Sequence, residues 1–351
     1  MEFTRRTFMA TAGIALAAPA VLKSTIARAQ DAVTLRLHHF LPPAANVHQH
    51  LLMPWAKMLA DESDGKLTVE IFPAMQLGGK PPQLYDQAVN GVVDIVWTLP
   101  GNTPGRFPST EVFELPFVAA QKASVNAPAC EEYSQAHVVP GVTDTKILCF
   151  WAHDHGLIHS NAEIRTKEDL AGLKLRNPTR LAGEALGALG ATPVGMPIPQ
   201  IPEALAQRAI DGCVVPWEVV PSLKIDELTS YHLEIPGTPT LYTATFFLAM
   251  NKARYEGLAP ELREILDRNS GLAFANAAGE MWDRVGAEVR AKVEAGGKNK
   301  VTTISEEEKA RWVEATAPVR DTWVADMKAK GLDGEALLKA AQDAIQKYAK
   351  A

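Results

Sequence analysis

Short runs of apolar and β-branched residues alternate, from Val33 onward, with segments whose apolar residues recur at helical spacing. A first round contains the strand patterns "VTLRLHHF", "KLTVEIF" and "VVDIVW", with a helix predicted over about residues 47–63 and another over "PPQLYDQAVNG" between them. Asn46 is the predicted N-cap of the first helix, and Gly91 follows the end of the second. This alternation predicts an α/β fold with parallel strands.

The same order restarts after a loop-rich stretch. The second round contains the strand patterns "KILCFW" at 146–151, "LKLR" at 173–176, "TPVGM" and "CVVPW", with helices predicted from about Thr179 and over 200–209. The two rounds end similarly, on "GVVDIVW" and "AIDGCVVPW". The pattern therefore predicts two similar α/β units, and a chain of this length exceeds the size of a single comfortable core.

The last third of the chain has a different pattern. "TLYTATFFLAMN" at 240–251 predicts one more strand, and residues 260–349 predict helix almost throughout. One continuous helix is predicted from about Gly271 to Ala295, which would be about 40 Å long. Because one small domain does not require such a length, we expect this helix to run across both units.

The first thirty residues are typical of a targeting segment. Arg5 and Arg6 in "TRRTF" precede a weakly apolar run, which ends on "ARA" before Gln30. This order predicts a twin-arginine export signal over 1–29 and a periplasmic mature protein. The alternative is a disordered basic N-terminus.

Net charge and hydropathy exclude two classes of partner. Removal of residues 1–29 would take away four basic residues and one acidic residue and change the net charge from −6 to −9. An acidic chain is unsuited to nucleic acid or an anionic membrane surface. Beyond the signal no apolar run approaches the roughly 20 residues that span a bilayer, so no stable membrane anchor is expected.

The sequence contains little that indicates a metal, a cofactor or an enzyme. The three cysteines lie in apolar contexts, where one disulfide is possible but no CxxC or zinc spacing occurs. His153, His155 and His159 are the nearest approach to a zinc set, without HExxH or a cysteine pair. No nucleotide-binding, hydrolase, haem or iron–sulfur motif is present. An exported redox enzyme is the remote alternative, because the twin-arginine route often carries such proteins.

The stretch "GLKLRNPTR" at 172–180 predicts a carboxylate site. Arg176 ends its strand, Asn177 or Thr179 can cap the next helix, and Pro178 suits a first turn. Ligands of open α/β sheets lie at the carboxyl ends of strands, beside helix N-termini. A guanidinium there can bind a carboxylate bidentately; a structural ion pair is the alternative.

Four segments resemble one known family. "PAMQLGGKPPQLYDQAVNGVVDIVW", "FELPF", "EDLAGLKLRNP" and "ALAQRAIDG", in this order after an export signal, resemble the DctP-type solute-binding proteins of tripartite ATP-independent periplasmic (TRAP) transporters, over about residues 33–300. The resemblance implies a two-lobed periplasmic binding protein of the Venus-flytrap type, with crossing strands, a shared long helix and a helical C-terminus. It implies capture of a small organic acid, delivery to membrane subunits that use an ion gradient, no cofactor and no chemistry on the ligand. It also implies that Arg176 forms the salt bridge with the ligand's carboxylate.

The hydrophobic pattern and the family resemblance together predict the boundaries of the two lobes. Lobe I comprises residues 30–152 with about 240–280, and lobe II comprises residues 153–239 with about 281–351, including the C-terminal helices.

Further candidate ligand residues lie near strand ends. Tryptophans there can line a ligand site or pack in the core, and Glu218 can accept from a ligand hydroxyl or face solvent. His39 and His155 are pocket-edge donors or loop polar residues, and Arg106 is expected to support the hinge. The candidates beside Arg176 and Asn177 are Trp97, Thr98, Trp151, Trp217, Glu218, His39, Phe40, His155 and Tyr242.

Two departures from the family pattern bear on the ligand. Val215 stands where many members have a ligand-contacting asparagine, and Gly156 stands where many sugar-acid binders have a second arginine. These apolar positions favour an aromatic, 2-oxo or 2-hydroxy monocarboxylate. A C4-dicarboxylate or sugar acid is the alternative, with Arg180 as the second cation for a dicarboxylate.

Overall fold

The computed structural model describes residues 32–350, so the predicted export signal lies outside the described residues. The strands are β1 Val33–His38, β2 Leu67–Phe72, β3 Ile95–Thr98, β4 Thr145–Ala152, β5 Leu157–Ser160, β6 Lys174–Asn177, β7 Thr192–Gly195, β8 Gly212–Val215, β9 Tyr231–Glu234, β10 Thr245–Asn251 and β11 Lys300–Thr303. The helices are α1 Met53–Glu62, α2 Leu84–Val89, α3 Ala123–His137, α4 Arg180–Ala188, α5 Ile201–Ala206, α6 Ile225–Leu228, α7 Lys252–Glu256, α8 Pro260–Arg268, α9 Gly271–Ala295, α10 Glu306–Ala329 and α11 Gly334–Ala349.

Two sheets organise the described chain. The first has the order β2-β1-β3-β10-β4, in which β1 is parallel to β2 and β3, and β10 is antiparallel to both neighbours. The second has the order β11-β9-β5-β8-β6-β7, with β6 parallel to β7 and β8 and β5 antiparallel to β8 and β9. The α/β prediction is confirmed, although both sheets are mixed and not purely parallel. The first sheet is the centre of lobe I and the second is the centre of lobe II.

The chain crosses between the sheets after β4 and again before β10. The crossing segments are joined by hydrogen bonds: Gly156 N donates to Tyr242 O at 2.9 Å, and Thr243 Oγ1 donates to His153 O at 2.8 Å. A third connection is α9, which packs on α3 and β4 of lobe I and on the helical turn Trp217–Val219 of lobe II. The long inter-lobe helix is therefore confirmed.

The two C-terminal helices contact different lobes. Helix α10 packs against α4, which follows β6 of the second sheet, whereas α11 packs against α3 beside the first sheet. The lobe boundaries predicted from the sequence stay a prediction.

Three local predictions were wrong. The stretch predicted as loop-rich contains α3, and the predicted all-helical region contains β11, which pairs with β9. Helix α3 was missed because it includes Pro128, and β11 because it has only four residues. Asn46 does not cap a helix: its Nδ2 donates to the carbonyl oxygen of Glu218 in lobe II at 2.7 Å.

The interior is apolar and contains Cys130, Cys149 and Cys213 as buried free thiols. No disulfide forms among the described residues. Within residues 32–350, no helix is both long and apolar enough to cross a membrane.

Candidate ligand-binding site

A cavity lies between the two sheets, at the ends of strands from both. It leaves about 40 Å³ for the centres of water-sized molecules. Its walls come from lobe I, from lobe II and from the segments that connect them. The lining residues are Phe40, Leu41, Val47, Pro81, Trp97, Leu99, Asn102, His153, Arg176, Pro178, Pro197, Ile198, Val215, Pro216, Glu218, Val219, Tyr242, Ala244, Phe246 and Trp282.

Arg176 is the cation of this cavity. It lies near the end of β6 with 3% of its surface exposed, between β7 and β8. Nε donates to Met196 O at 3.0 Å and Nη1 donates to Val214 O at 3.2 Å. The backbone on both sides of β6 therefore fixes the plane of the guanidinium.

The charge of Arg176 has no counterion in the described part of the protein. Within residues 32–350, no carboxylate oxygen comes within 4 Å of its nitrogens, and Nη2 has no hydrogen-bond partner. Burial lowers the pKa of Arg176, yet an arginine in a protein stays protonated. A buried charge of this kind is costly unless it is paired, so the arrangement suits an anionic ligand.

Tyr242 adds a second donor beside the arginine. Its side chain is buried and lines the cavity, and its hydroxyl has no partner among the described residues. Burial raises the pKa of this phenol, which keeps it protonated, and the charge of Arg176 opposes that shift. Tyr242 can therefore donate to a group bound near the guanidinium.

Gly156 leaves the space that the Tyr242 ring occupies. A Cβ at position 156 would lie 1.9 Å from Tyr242 Cε1 and 2.1 Å from Cδ1. The glycine that the sequence comparison with sugar-acid binders singled out thus has a steric role, because no side chain fits there while Tyr242 lies in the cavity wall.

Aromatic rings form much of the remaining wall. The Phe40 and Trp97 rings are 4.9 Å apart between centroids, and Trp97 and Phe246 are 5.7 Å apart. Phe246 in turn stacks on Trp282 of α9 at 5.6 Å. Such a wall favours the burial of a flat apolar group.

Glu218 is the acidic group of the cavity. It is 2% exposed, and its Oε1 accepts from Val47 N at 3.2 Å. Burial, reinforced by the neighbouring Asp154 and opposed by the Val47 bond, raises the pKa of Glu218 to about 8. The carboxyl is therefore protonated at neutral pH.

His153 is a lining residue that the sequence analysis did not select for the ligand. Its Nε2 accepts from Ala244 N at 2.9 Å, so its Nδ1 carries the proton and donates to Asp154 O at 2.6 Å. Burial lowers the pKa of His153 to about 3, which keeps the ring neutral. It holds the two crossing segments together at the cavity wall.

The structure brings five of the eleven predicted residues to the cavity: Arg176, Trp97, Phe40, Glu218 and Tyr242. The other six, Trp217, Trp151, Thr98, His39, His155 and Asn177, do not line it.

Four of these six have structural partners close to the cavity wall. Trp217 Nε1 donates to Glu234 Oε1 at 2.9 Å, and Trp151 stacks behind Trp97. Thr98 Oγ1 accepts from Asn102, and Asn177 Nδ2 donates to Thr179 O. These side chains support lining residues or neighbouring backbone.

The two remaining histidines also lie beside the cavity wall, and the His39 ring packs against that of Trp97 at 5.4 Å. His39 Nδ1 accepts from Leu41 N, so its Nε2 donates to His48 Nδ1 at 2.9 Å. His155 Nδ1 donates to Gln121 O at 3.2 Å.

Phe246 and Trp282 are the principal residues that the sequence analysis missed. Phe246 lies within the predicted strand at 240–251, and Trp282 lies in the predicted long helix. The only available signal was the prediction that this helix crosses both lobes, because a bulky aromatic halfway along it must then lie near the cleft.

Two further arginines have acidic partners away from the cavity. Arg180 donates to Glu111 at 2.7 Å, to Glu184 at 2.8 Å and to Asp326 at 3.4 Å. Arg106 pairs with Asp86 and Asp144. Arg180 is therefore not a second cation of the cavity.

His153, His155 and His159, which were considered as zinc ligands, each bond to a different protein group. His159 Nδ1 accepts from His232 Nδ1 at 2.7 Å, whereas His153 and His155 bond to backbone carbonyl oxygens. In the part of the chain that the structure describes, no three His, Cys, Asp or Glu side chains group to hold a metal ion.

The fold and this buried-arginine cavity are those of a periplasmic-type solute-binding protein. The family model for bacterial extracellular solute-binding proteins, family 7 (DctP), matches residues 37–326, and the chain belongs to this family. Its members include solute-binding proteins of TRAP transporters.

Three solved structures are similar to the chain. A TRAP solute-binding protein from Rhodoferax ferrireducens, in complex with copurified benzoate, is 46% identical with a TM-score of 0.87; the match covers 91% of this chain and 99% of that one. A marine metagenome TRAP protein specific for aromatic acids, with 3-hydroxybenzoate, is 44% identical over 91% and 99% of the two chains, with a TM-score of 0.88. A Bordetella bronchiseptica protein with bound mandelate is 28% identical over 90% and 99%, with a TM-score of 0.82.

Proposed function

We propose that this protein captures an aromatic monocarboxylate in the periplasm and delivers it to the membrane subunits of a TRAP transporter. The observation that carries the proposal is Arg176, a buried guanidinium with a free Nη2 and no carboxylate partner among residues 32–350. In this assignment the ligand's carboxylate pairs with Arg176 and accepts from Tyr242, and its ring contacts Phe40, Trp97 and Phe246. The protein performs no chemistry on the ligand.

The balance of polar and apolar groups supports this ligand class. A buried ring gains about 25 cal/mol per Å² of apolar surface. An unpaired polar group costs about 1 to 3 kcal/mol, which penalises sugar hydroxyls and a second carboxylate beside Val215 or the aromatic rings. The ligands of the two more similar solved structures, benzoate and 3-hydroxybenzoate, agree with this balance.

A dicarboxylate or sugar acid is the alternative within the same family. The three carboxylates around Arg180 argue against the dicarboxylate, because the cation that would hold its second charge is already paired.

A thermal-shift screen followed by calorimetry tests the ligand class. Benzoate, 3-hydroxybenzoate and mandelate are compared with succinate, malate and a uronate. A ligand at 100 times its Kd stabilises the folded state by about 2.7 kcal/mol, so benzoate-type acids should raise Tm clearly. Tight binding of succinate or the uronate with no response to the aromatic acids would overturn the ligand class while leaving the family assignment intact.

The export route is part of the same proposal. Arg5 and Arg6 support twin-arginine export with cleavage after Ala29. Replacing both arginines with lysine should keep the protein in the cytoplasm. Normal accumulation of that variant in the periplasm would contradict this route.

A further inference from the structure

The cavity contains a second polar group that a carboxylate on a ring does not use. Glu218 follows β8, lines the cavity and is almost completely buried. Its Oε1 is engaged by the amide of Val47, whereas its Oε2 has no hydrogen-bond partner among residues 32–350. A polar atom without a partner, on a buried side chain that lines a ligand cavity, is a position where a ligand group can be recognised.

Among residues 32–350, no cation forms an ion pair with Glu218. The titratable group that acts on it is Asp154, whose own pKa burial raises to about 7 and which lies beside His153 and His155. On α9, Asp283 binds the amides of Ala123 and Ser124, and Arg290 is paired with Glu234. With the pKa of Glu218 near 8, its carboxyl offers an O–H donor as well as a carbonyl acceptor.

Arg176 and Glu218 are held by different parts of the cavity wall. Arg176 is held by Met196 and Val214 beside Tyr242, and Glu218 is held by Val47 of lobe I. A ring bound through its carboxylate at Arg176 shares this cavity with Glu218, so a ring substituent can meet the acid there.

We propose, on the basis of the function assigned above, that Glu218 is a specificity-determining residue which selects aromatic acids carrying a ring hydroxyl. The neutral carboxyl donates a hydrogen bond to the hydroxyl oxygen and can accept one from the hydroxyl group in return; benzoate has no ring hydroxyl and makes neither bond. A second ionised carboxylate at this place would meet an acid and no cation, so benzene dicarboxylates are rejected. Glu218 thereby recognises the ring hydroxyl of the ligand, and Arg176 recognises its carboxylate.

The test compares one ratio across variants: the Kd of benzoate divided by the Kd of 3-hydroxybenzoate, by calorimetry at about pH 7. In the wild-type protein we expect a preference for the hydroxylated acid of about five- to tenfold, the value of one hydrogen bond to a buried group. Glu218→Gln keeps an acceptor for Val47 N and supplies an N–H donor, so it should retain most of the preference. Glu218→Met, of similar volume, should reduce the ratio to about one.

The ratio removes effects on folding or lobe closure, because these change both affinities together. A Glu218→Met variant that keeps the wild-type ratio would overturn the proposal. Asn102 is another polar residue that lines the cavity. If Asn102→Leu loses the preference and Glu218→Met keeps it, the proposal is also overturned. Tight wild-type binding of isophthalate would overturn it as well. Failure of the wild-type protein to bind either benzoate or 3-hydroxybenzoate would instead contradict the proposed function itself.

Discussion

Single side chains at this site differ sharply in what they can be replaced by. Arg176 is fixed by two carbonyl oxygens that a planar guanidinium reaches at once, with Nη2 left for a ligand. Lysine carries the same charge but presents a compact ammonium on a flexible stem, without the fork that matches a carboxylate. Charge alone therefore does not reproduce this residue.

We expect Arg176→Lys and Arg176→Ala to lose about 2 to 5 kcal/mol of binding free energy for benzoate. Calorimetry measures the loss, and Arg106→Lys is the matched control, since Arg106 pairs with Asp86 and Asp144 away from the cavity. Near-normal affinity in either Arg176 variant would remove the anchor assignment.

Gly156→Ala should destabilise the protein because the new methyl collides with Tyr242, by about 1 to 3 kcal/mol as for other overpacked sites. The clash is predicted from the 1.9 Å approach to Tyr242 Cε1. In a Tyr242→Ala background the same substitution should cost little, so the two effects should be non-additive in urea unfolding. An equal cost in both backgrounds would show that Tyr242 is not the cause.

At the scale of elements, the helical turn after β8 places the Glu218 carboxyl where it accepts a hydrogen bond from the amide of Val47 in the other lobe. The pKa of Glu218 is raised to about 8 in the folded protein, compared with an ordinary value of 4.5. For an acid shifted in this direction, the stabilising contribution is complete below the ordinary pKa and is lost as pH rises through the raised one. Asp154 and Glu114, each with a pKa raised by burial to about 7, act in the same sense.

Glu218 should therefore contribute a fall in the free energy of unfolding between about pH 4.5 and pH 8, against the rise that the buried His39, His153 and His159 contribute below about pH 6.5. Glu218→Gln should remove that fall from the slope of stability against pH. Denaturant unfolding at a series of pH values measures it. Glu70→Gln, at an exposed position of β2, is the control that should leave the slope unchanged. A slope identical in wild type and Glu218→Gln would mean that Glu218 does not bind its proton more tightly in the folded state.

The sequence predicted helices and strands best where the local pattern of a segment was enough to define its structure. The bounds of α9 follow from 25 residues of helical periodicity, and the alternation around β1, β2 and β3 sufficed for a parallel core. Strand β5 has four residues and is defined by pairing with β8 and β9, which are distant in sequence. Its local pattern is therefore too short to predict it.

The same limit applies to the site. Arg176 was predictable because the strand end and the helix start are adjacent in sequence. Trp282 and Phe246 were not, since their place at the cavity depends on how α9 and β10 cross the lobes. Glu218 was named from its position, but its neutral state depends on burial that only the fold creates.

At the scale of the whole molecule, the lobes meet through a few specific contacts. Gly101 of lobe I approaches Thr179 of lobe II so closely that a Cβ on the glycine would lie 3.2 Å from Thr179 Cβ. Arg180 pairs with Glu111 across the same boundary, and Asn46 binds the Glu218 carbonyl. We expect ligand exchange to require that these contacts break.

A cysteine pair at Gly101 and Thr179 should lock the cleft. Disulfides join Cβ atoms about 3.5–4.5 Å apart, so the 3.2 Å separation at these positions has to widen by a few tenths of an ångström. The native cysteines are buried, so oxidation should join the introduced pair. The oxidised double variant should retain bound benzoate and exchange it far more slowly than the reduced form, as followed by isotope-labelled ligand. Each single variant is a control, and unchanged exchange after oxidation would mean that these positions do not separate during release.

The aromatic wall has an optical consequence. The indoles of Trp97, Trp151 and Trp282 follow one another with centroids 6.4 and 6.3 Å apart. Excitation energy passes readily between chromophores at such separations, so emission from this group behaves as a shared signal. Since Trp97 and Trp282 line the cavity, an aromatic ring bound between the lobes should change that signal for all three. We therefore expect tryptophan emission to follow the occupancy of the cavity without any added dye.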